Sequence, residues 1–131
     1  MPLSESEILQ LLRETQKTAL ALYSNFRVAA VLITKDDKVY TGINIESSSY
    51  GLTICAERVA LFKALSDGER EFSKIYILAD TTAPCSPCGA CRQVLFDFAS
   101  DIDVVMVAKD GSTLEKPLKK LLPHAFDSSQ L

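Results

Sequence analysis

The chain has 131 residues, 47% of them apolar, with 14 Lys and Arg against 17 Asp and Glu for a net charge of −3. That length supports a single domain, 1–131, with an adequate core, which excludes a disordered chain and makes a disulfide scaffold unnecessary. The negative balance argues against nucleic acid as a partner, and the longest uninterrupted apolar run, 28–33, falls far short of the ~20 residues that span a membrane.

In chain order, Ser4 and Glu7 have capping-box spacing, and Ile8, Leu11, Leu12, Thr15, Ala19 and Leu22 recur at helical period, predicting an amphipathic helix over 5–23. β-Branched residues crowd 27–34, a charged turn follows over 35–38, and a strand pattern resumes over 39–46. These read as an antiparallel hairpin. The Ser47-Ser48-Ser49 patch is a loop, and a second helix covers 55–66 before an Asp67-Gly68 stop. A buried strand at 74–79 leads to a helix that starts with Pro87 in its first turn and ends near Ala99. A strand at 103–108, a turn at Asp110-Gly111, a short antiparallel strand at 113–115 and a helix at 118–122 complete the series. The order implies two crossover units in one five-stranded mixed sheet with helices on both faces, a three-layer α/β/α domain.

The first seven residues are acidic and polar, unlike an export signal, so the chain is expected to be soluble and cytoplasmic. In that reducing compartment cysteines serve metal binding or catalysis more readily than disulfides. Cys88 and Cys91 are three apart at one helix start, and Cys55 opens the other crossover helix. Helix N-termini in an α/β sheet gather at the carboxyl ends of the strands, which would bring the three thiols together. Three thiolates leave the fourth position of a tetrahedral zinc open to water, as catalytic zinc requires. A C-x-x-C pair also serves redox chemistry, and Cys85, three residues before Cys88, could close a structural four-cysteine site. Pro84 and Pro87 bracket Cys85 and put it outside the helix, which favours the open site. Glu57, two residues after Cys55, is placed to move protons for a water at that position.

Cys55-Ala56-Glu57 with Pro87-Cys88-Gly89-Ala90-Cys91 follows the zinc deaminase signature, with cysteine as the first ligand. Together with Asn44-Ile45-Glu46, Arg58, Arg92-Gln93 and Leu121-Leu122-Pro123 before Ala125-Phe126, it resembles the small tetrameric cytidine deaminases over about 22–126. The resemblance implies the cytidine deaminase-like fold, a homotetramer, one Zn²⁺ per subunit, and hydrolysis of cytidine and deoxycytidine to uridine, deoxyuridine and ammonia, as in pyrimidine salvage. It implies Cys55, Cys88 and Cys91 as metal ligands and Glu57 as the catalytic proton carrier. Asn44 and Glu46, two apart on a strand end with Ile45 between them directed to the core, correspond to the pair that holds the sugar 3′-hydroxyl. Phe26 corresponds to a wall of the pyrimidine pocket, Ala56 to the residue whose amide meets the base carbonyl, and Phe126 to an aromatic lent by a neighbouring subunit. Arg58 corresponds to an arginine that bonds the zinc-bound sulfurs, and Arg92 is expected to assist it. The chain departs from the family pattern at Ala29 and His124, where glycine is usual, and at Cys85.

Overall fold

The computed structural model describes residues 2–131. Helix α1 (Glu5–Gln16) begins with the expected capping box: the Ser4 side chain accepts the Glu7 N–H at 3.2 Å, and the Ser4 N–H donates to Glu7 Oε1 at 3.1 Å. It ends at Gln16, about two turns before the periodicity predicts. Leu20 leaves the helix to bridge Ile45, donating to Asn44 O and accepting from Glu46 N, both at 3.0 Å. A main-chain pairing from a distant segment has overridden the local period.

Strands β1 (Val28–Thr34) and β2 (Val39–Ile43) form the expected hairpin, but β2 stops three residues early. After a 3₁₀ turn at Tyr50–Leu52 come α2 (Ala56–Ser66), β3 (Phe72–Ala79), α3 (Gly89–Ala99), β4 (Asp103–Val107), β5 (Thr113–Pro117) and α4 (Leu118–Leu121). Pro87 lies just outside α3, preceding its N-cap Cys88. Helix α2 stops where expected: Gly68 takes φ +92°, the Glu69 N–H reaches Ala64 O and the Gly68 N–H reaches Leu65 O. That double bond pattern needs a left-handed residue, which glycine supplies without a Cβ penalty.

The sheet order is β2-β1-β3-β4-β5. β1 is antiparallel to both β2 and β3, so β2 and β3 run in the same direction with α2 crossing between them; β3 and β4 are parallel with α3 as their crossover. Alternation along the strands divides the core into two. Ala30, Leu32, Ile75, Ile77, Val104 and Met106 face α2, α3 and α4, whereas Ala29, Val31, Tyr76, Leu78, Val105 and Val107 face α1. Ala29 lies within β1 and is fully buried on that side. The result is the expected three-layer arrangement, with the N-termini of α2 and α3 both emerging at the carboxyl end of the sheet. Among the described residues, no helix is long and apolar enough to cross a membrane.

Candidate active site

Cys55 is the N-cap of α2 and Cys88 the N-cap of α3, each with extended backbone, and neither side chain makes a capping bond to the backbone of its helix. Cys91 is the third residue of α3, so its sulfur lies against the cap: the Cys88 and Cys91 Sγ atoms are 3.4 Å apart, and Cys55 Sγ is 3.7 Å from Cys88 Sγ. All three ligand atoms lie within 4.8 Å of one another. A tetrahedral zinc with Zn–S bonds of ~2.3 Å spaces its sulfurs about 3.8 Å apart, so the donors stand close to the required edge length. Arg58 adds a second test of fit. Its Nη2 donates to Cys55 Sγ at 3.5 Å, while its Nε is buried without a hydrogen-bond partner. Metal binding ionises the thiols, and thiolates offer such a donor the acceptor it lacks. The residues therefore fit zinc. Cys85 is outside the cluster, its thiol directed to Ser86 O at 3.7 Å in the preceding loop.

The Cys91 thiol, hydrogen-bonding toward Cys55, holds the Cys55 thiol well below its ordinary range against the opposing effect of burial, and the Arg58 guanidinium adds to the lowering. Cys91 is raised for the complementary reason, first by keeping its proton in the bond to Cys55, then by burial and the Glu57 charge. Cys55 stands at the positive end of α2 and beside Arg58, both of which favour a thiolate there. Glu57, 4% exposed, is the second residue of α2. Burial pushes its carboxyl up, and the charge on Cys55 adds to that, opposed by a backbone hydrogen bond and by Arg58. A carboxyl so raised is suited to carry a proton at neutral pH.

Asn44 and Glu46 lie just past the end of β2. Asn44 is buried: its Oδ1 accepts the Val28 N–H at 3.0 Å and its Nδ2 donates to Phe26 O at 2.8 Å. Because the Asn44 side chain turns inward, Ile45 turns outward and is 41% exposed, contrary to the expected core position. The alternation expected there is shifted by one face. Glu46 Oε1 accepts the N–H groups of Tyr23 and Ser24, both at 2.9 Å, and Oε2 accepts the Ser24 hydroxyl. These bonds, the hydroxyl first, hold its carboxyl below the ordinary value.

Phe26 is 39% exposed and Phe126 55% exposed, so neither is an ordinary core residue. Ala56 opens α2, where its N–H lies in the unpaired first turn. Arg92 is not brought to the sulfurs: Nε donates to Pro87 O and Nη1 to Leu121 O, both at 2.8 Å, and Nη2 donates to the Ser86 hydroxyl. It braces the loop before α3 against the end of α4. Its neighbour Gln93 donates to Phe126 O at 2.9 Å. Gln93 was named from sequence only within the matching motif, with no role of its own, and Ser24 not at all, although Ser24, two residues before Phe26 and bonded by the Phe26 N–H at 3.0 Å, has the spacing of a hydroxyl turn.

A family model described as the cytidine and deoxycytidylate deaminase zinc-binding region matches residues 3–108. A protein named cytidine deaminase from Sporosarcina psychrophila is 44% identical over 120 residues, 91% of this chain and 88% of its own. One named probable cytidine deaminase from Dictyostelium discoideum is 45% identical over 120 residues, covering 91% and 81%. The crystal structure of cytidine deaminase from Burkholderia pseudomallei superposes with a TM-score of 0.91 at 41% identity, covering 95% of this chain and all of that one.

Proposed function

Because this chain belongs to the cytidine and deoxycytidylate deaminases, whose zinc it is built to hold, we propose that it hydrolyses cytidine and deoxycytidine to uridine and deoxyuridine, releasing ammonia. One observation carries the reading: three cysteine sulfurs converge at two helix N-termini directly beside the buried carboxyl of Glu57. Cys55, Cys88 and Cys91 would hold one zinc per subunit. Zinc bound by three protein ligands lowers the pKa of a water toward neutrality and so makes a nucleophile available for C4 of the base.

The chain's own groups supply the rest. Glu57 takes a proton from the attacking water and passes it to N3, then takes the second proton from the new C4 hydroxyl and delivers it to the departing amine, so one carboxyl serves both halves of the reaction. Arg58 offsets the excess negative charge of three thiolates by donating to Cys55 Sγ. The Ala56 N–H is offered to the base carbonyl, Phe26 walls the pyrimidine, and Asn44 and Glu46 receive the sugar 3′-hydroxyl. Arg92 serves the site through Pro87 and Leu121 rather than through the metal ligands. Phe126 reaches the site of a neighbouring copy in a homotetramer, a role supported by its exposure on one chain. A nucleoside enzyme of this kind acts in the cytoplasm.

The test is Glu57→Gln, which keeps size and most hydrogen bonding but removes the proton carrier. Zinc content and fold should survive while ammonia release from cytidine falls by ~10⁴ or more. A variant that keeps its zinc and deaminates within tenfold of the parent protein would overturn the mechanism, and a zinc-loaded parent that releases no ammonia from cytidine would overturn the function.

A further inference from the structure

The Ser24 side chain bonds both the sugar-side carboxylate and the Phe26 backbone, as Asn44 Nδ2 does from the other side through Phe26 O at 2.8 Å and a longer 3.5 Å contact to Glu46. Ser24 Oγ donates to Glu46 Oε2 and accepts the Phe26 N–H at 3.0 Å, and the Ser24 N–H donates to Glu46 Oε1 at 2.9 Å. The direction of these bonds is forced. A backbone N–H can only donate and an ionised carboxylate can only accept, so the single hydroxyl proton of Ser24 must point at Glu46. Asn25, immediately after it, sits at φ +57°, and its N–H is tied to Ala21 O at 3.1 Å, so the turn that presents Ser24 is itself anchored.

A carboxylate has about four acceptor sites. Two N–H groups occupy Oε1, Ser24 occupies one side of Oε2, and Asn44 Nδ2 stands 3.5 Å from that oxygen. We propose that Ser24 is a positioning residue that determines sugar specificity: by fixing the Glu46 carboxylate it leaves on Oε2 only the acceptor site that Asn44 Nδ2 holds weakly at 3.5 Å, which a ligand hydroxyl takes over as donor, and it ties that site to Phe26. This rests on the reading of Glu46 as the acceptor for the sugar 3′-hydroxyl. The carboxylate is held ionised, since Ser24 is the first cause of its lowered pKa. A sugar bearing hydrogen at the 3′ position leaves the charge partly unpaired, and a Glu46 freed from Ser24 no longer distinguishes the two sugars.

The experiment compares cytidine with 3′-deoxycytidine on the zinc-loaded protein, on Ser24→Ala and on Ser24→Thr. The parent protein should prefer cytidine in kcat/KM. Ser24→Ala should raise KM for cytidine about tenfold, the scale of a hydrogen bond to a charged group, with a smaller change in kcat. Its effect on 3′-deoxycytidine should be at least fivefold smaller, and Ser24→Thr, which restores the hydroxyl, should recover the preference. Equal losses on both substrates, or an unchanged KM for cytidine, would overturn the assignment, because a merely structural serine weakens both sugars alike. Should Ser24→Ala not fold, Ser24→Cys, a weaker donor of similar size, must show the same selective loss or the assignment fails. A parent protein that deaminates cytidine but treats the two sugars equally would overturn the reading of Glu46 and the role of Ser24 with it, leaving the deaminase activity intact.

Discussion

Cys85 lies three residues before Cys88, the same spacing that joins Cys88 to Cys91, yet only the latter pair shares a helix start. Spacing brings thiols together only where the backbone between them is helical. Pro87, next to the N-cap, leaves Cys85 outside the helix, half-buried, with its thiol raised by burial first and by the Glu57 charge second. Cys85→Ser should therefore retain one zinc per chain, whereas Cys88→Ser should lose it or bind it far more weakly, as read by metal analysis of the purified proteins. A zinc-free Cys85→Ser would return a closed four-thiol site. The cysteine triad and Glu57 were legible in the sequence because each lies within a few residues of a helix start that periodicity and proline mark. Ser24 and Gln93 were not, because their partners lie 22 and 33 residues away and only folding pairs them. His124 was legible only as a departure from the family pattern; its φ of +53° gives the reason glycine is usual there.

At the level of elements, the position of α2 decides where Cys55 and Glu57 stand, and that position depends on Gly42. A Cβ at Gly42 would lie 2.2 Å from Ala56 O and 2.6 Å from Ala60 N, both backbone atoms of α2. Neither can yield without moving the helix. Gly42→Ala should cost about 1–3 kcal/mol, the range for overpacking a close contact, and should weaken zinc retention because α2 carries Cys55 at its cap. Thermal unfolding of zinc-loaded protein checks this, and an unchanged Tm would contradict it. The order and type of the elements could be read from the sequence because a short apolar, β-branched run closed by a charged turn marks 28–34, and a broad apolar face closed by Asp67-Gly68 marks 56–66. The boundaries at 16 and 43 could not. Leu22 fits the period of α1 but is 71% exposed, since Glu46 takes the N–H groups of Tyr23 and Ser24 that a longer helix would have needed.

On the scale of the whole molecule, one chain leaves a broad apolar surface in water. Ile45, Leu52, Val59 and Phe62 line a groove beside α2, and Leu52 is 71% exposed. Apolar surface gathered in this way marks an interaction face more often than a solvated one. A homotetramer would cover it and would bring Phe126, held to α3 by Gln93, to a neighbouring site. Sedimentation at assay concentration should therefore show a tetramer. Phe126→Ala should raise KM for cytidine by roughly tenfold, since stacking of a base on an aromatic contributes ~1–3 kcal/mol. A fully active monomer would remove Phe126 from the site.

The caps of α2 and α3 have an evolutionary consequence. Serine, threonine or aspartate at such positions typically stabilises a helix by about 1 kcal/mol through a bond to its first turn. Cys55 and Cys88 make no such bond, so each helix forgoes that stabilisation to present a sulfur instead. Since neither helix depends on what its cap side chain does, the residue at position 55 is exchangeable for another metal-binding side chain without refolding α2, and drift at that position changes the metal's charge balance while leaving the architecture alone.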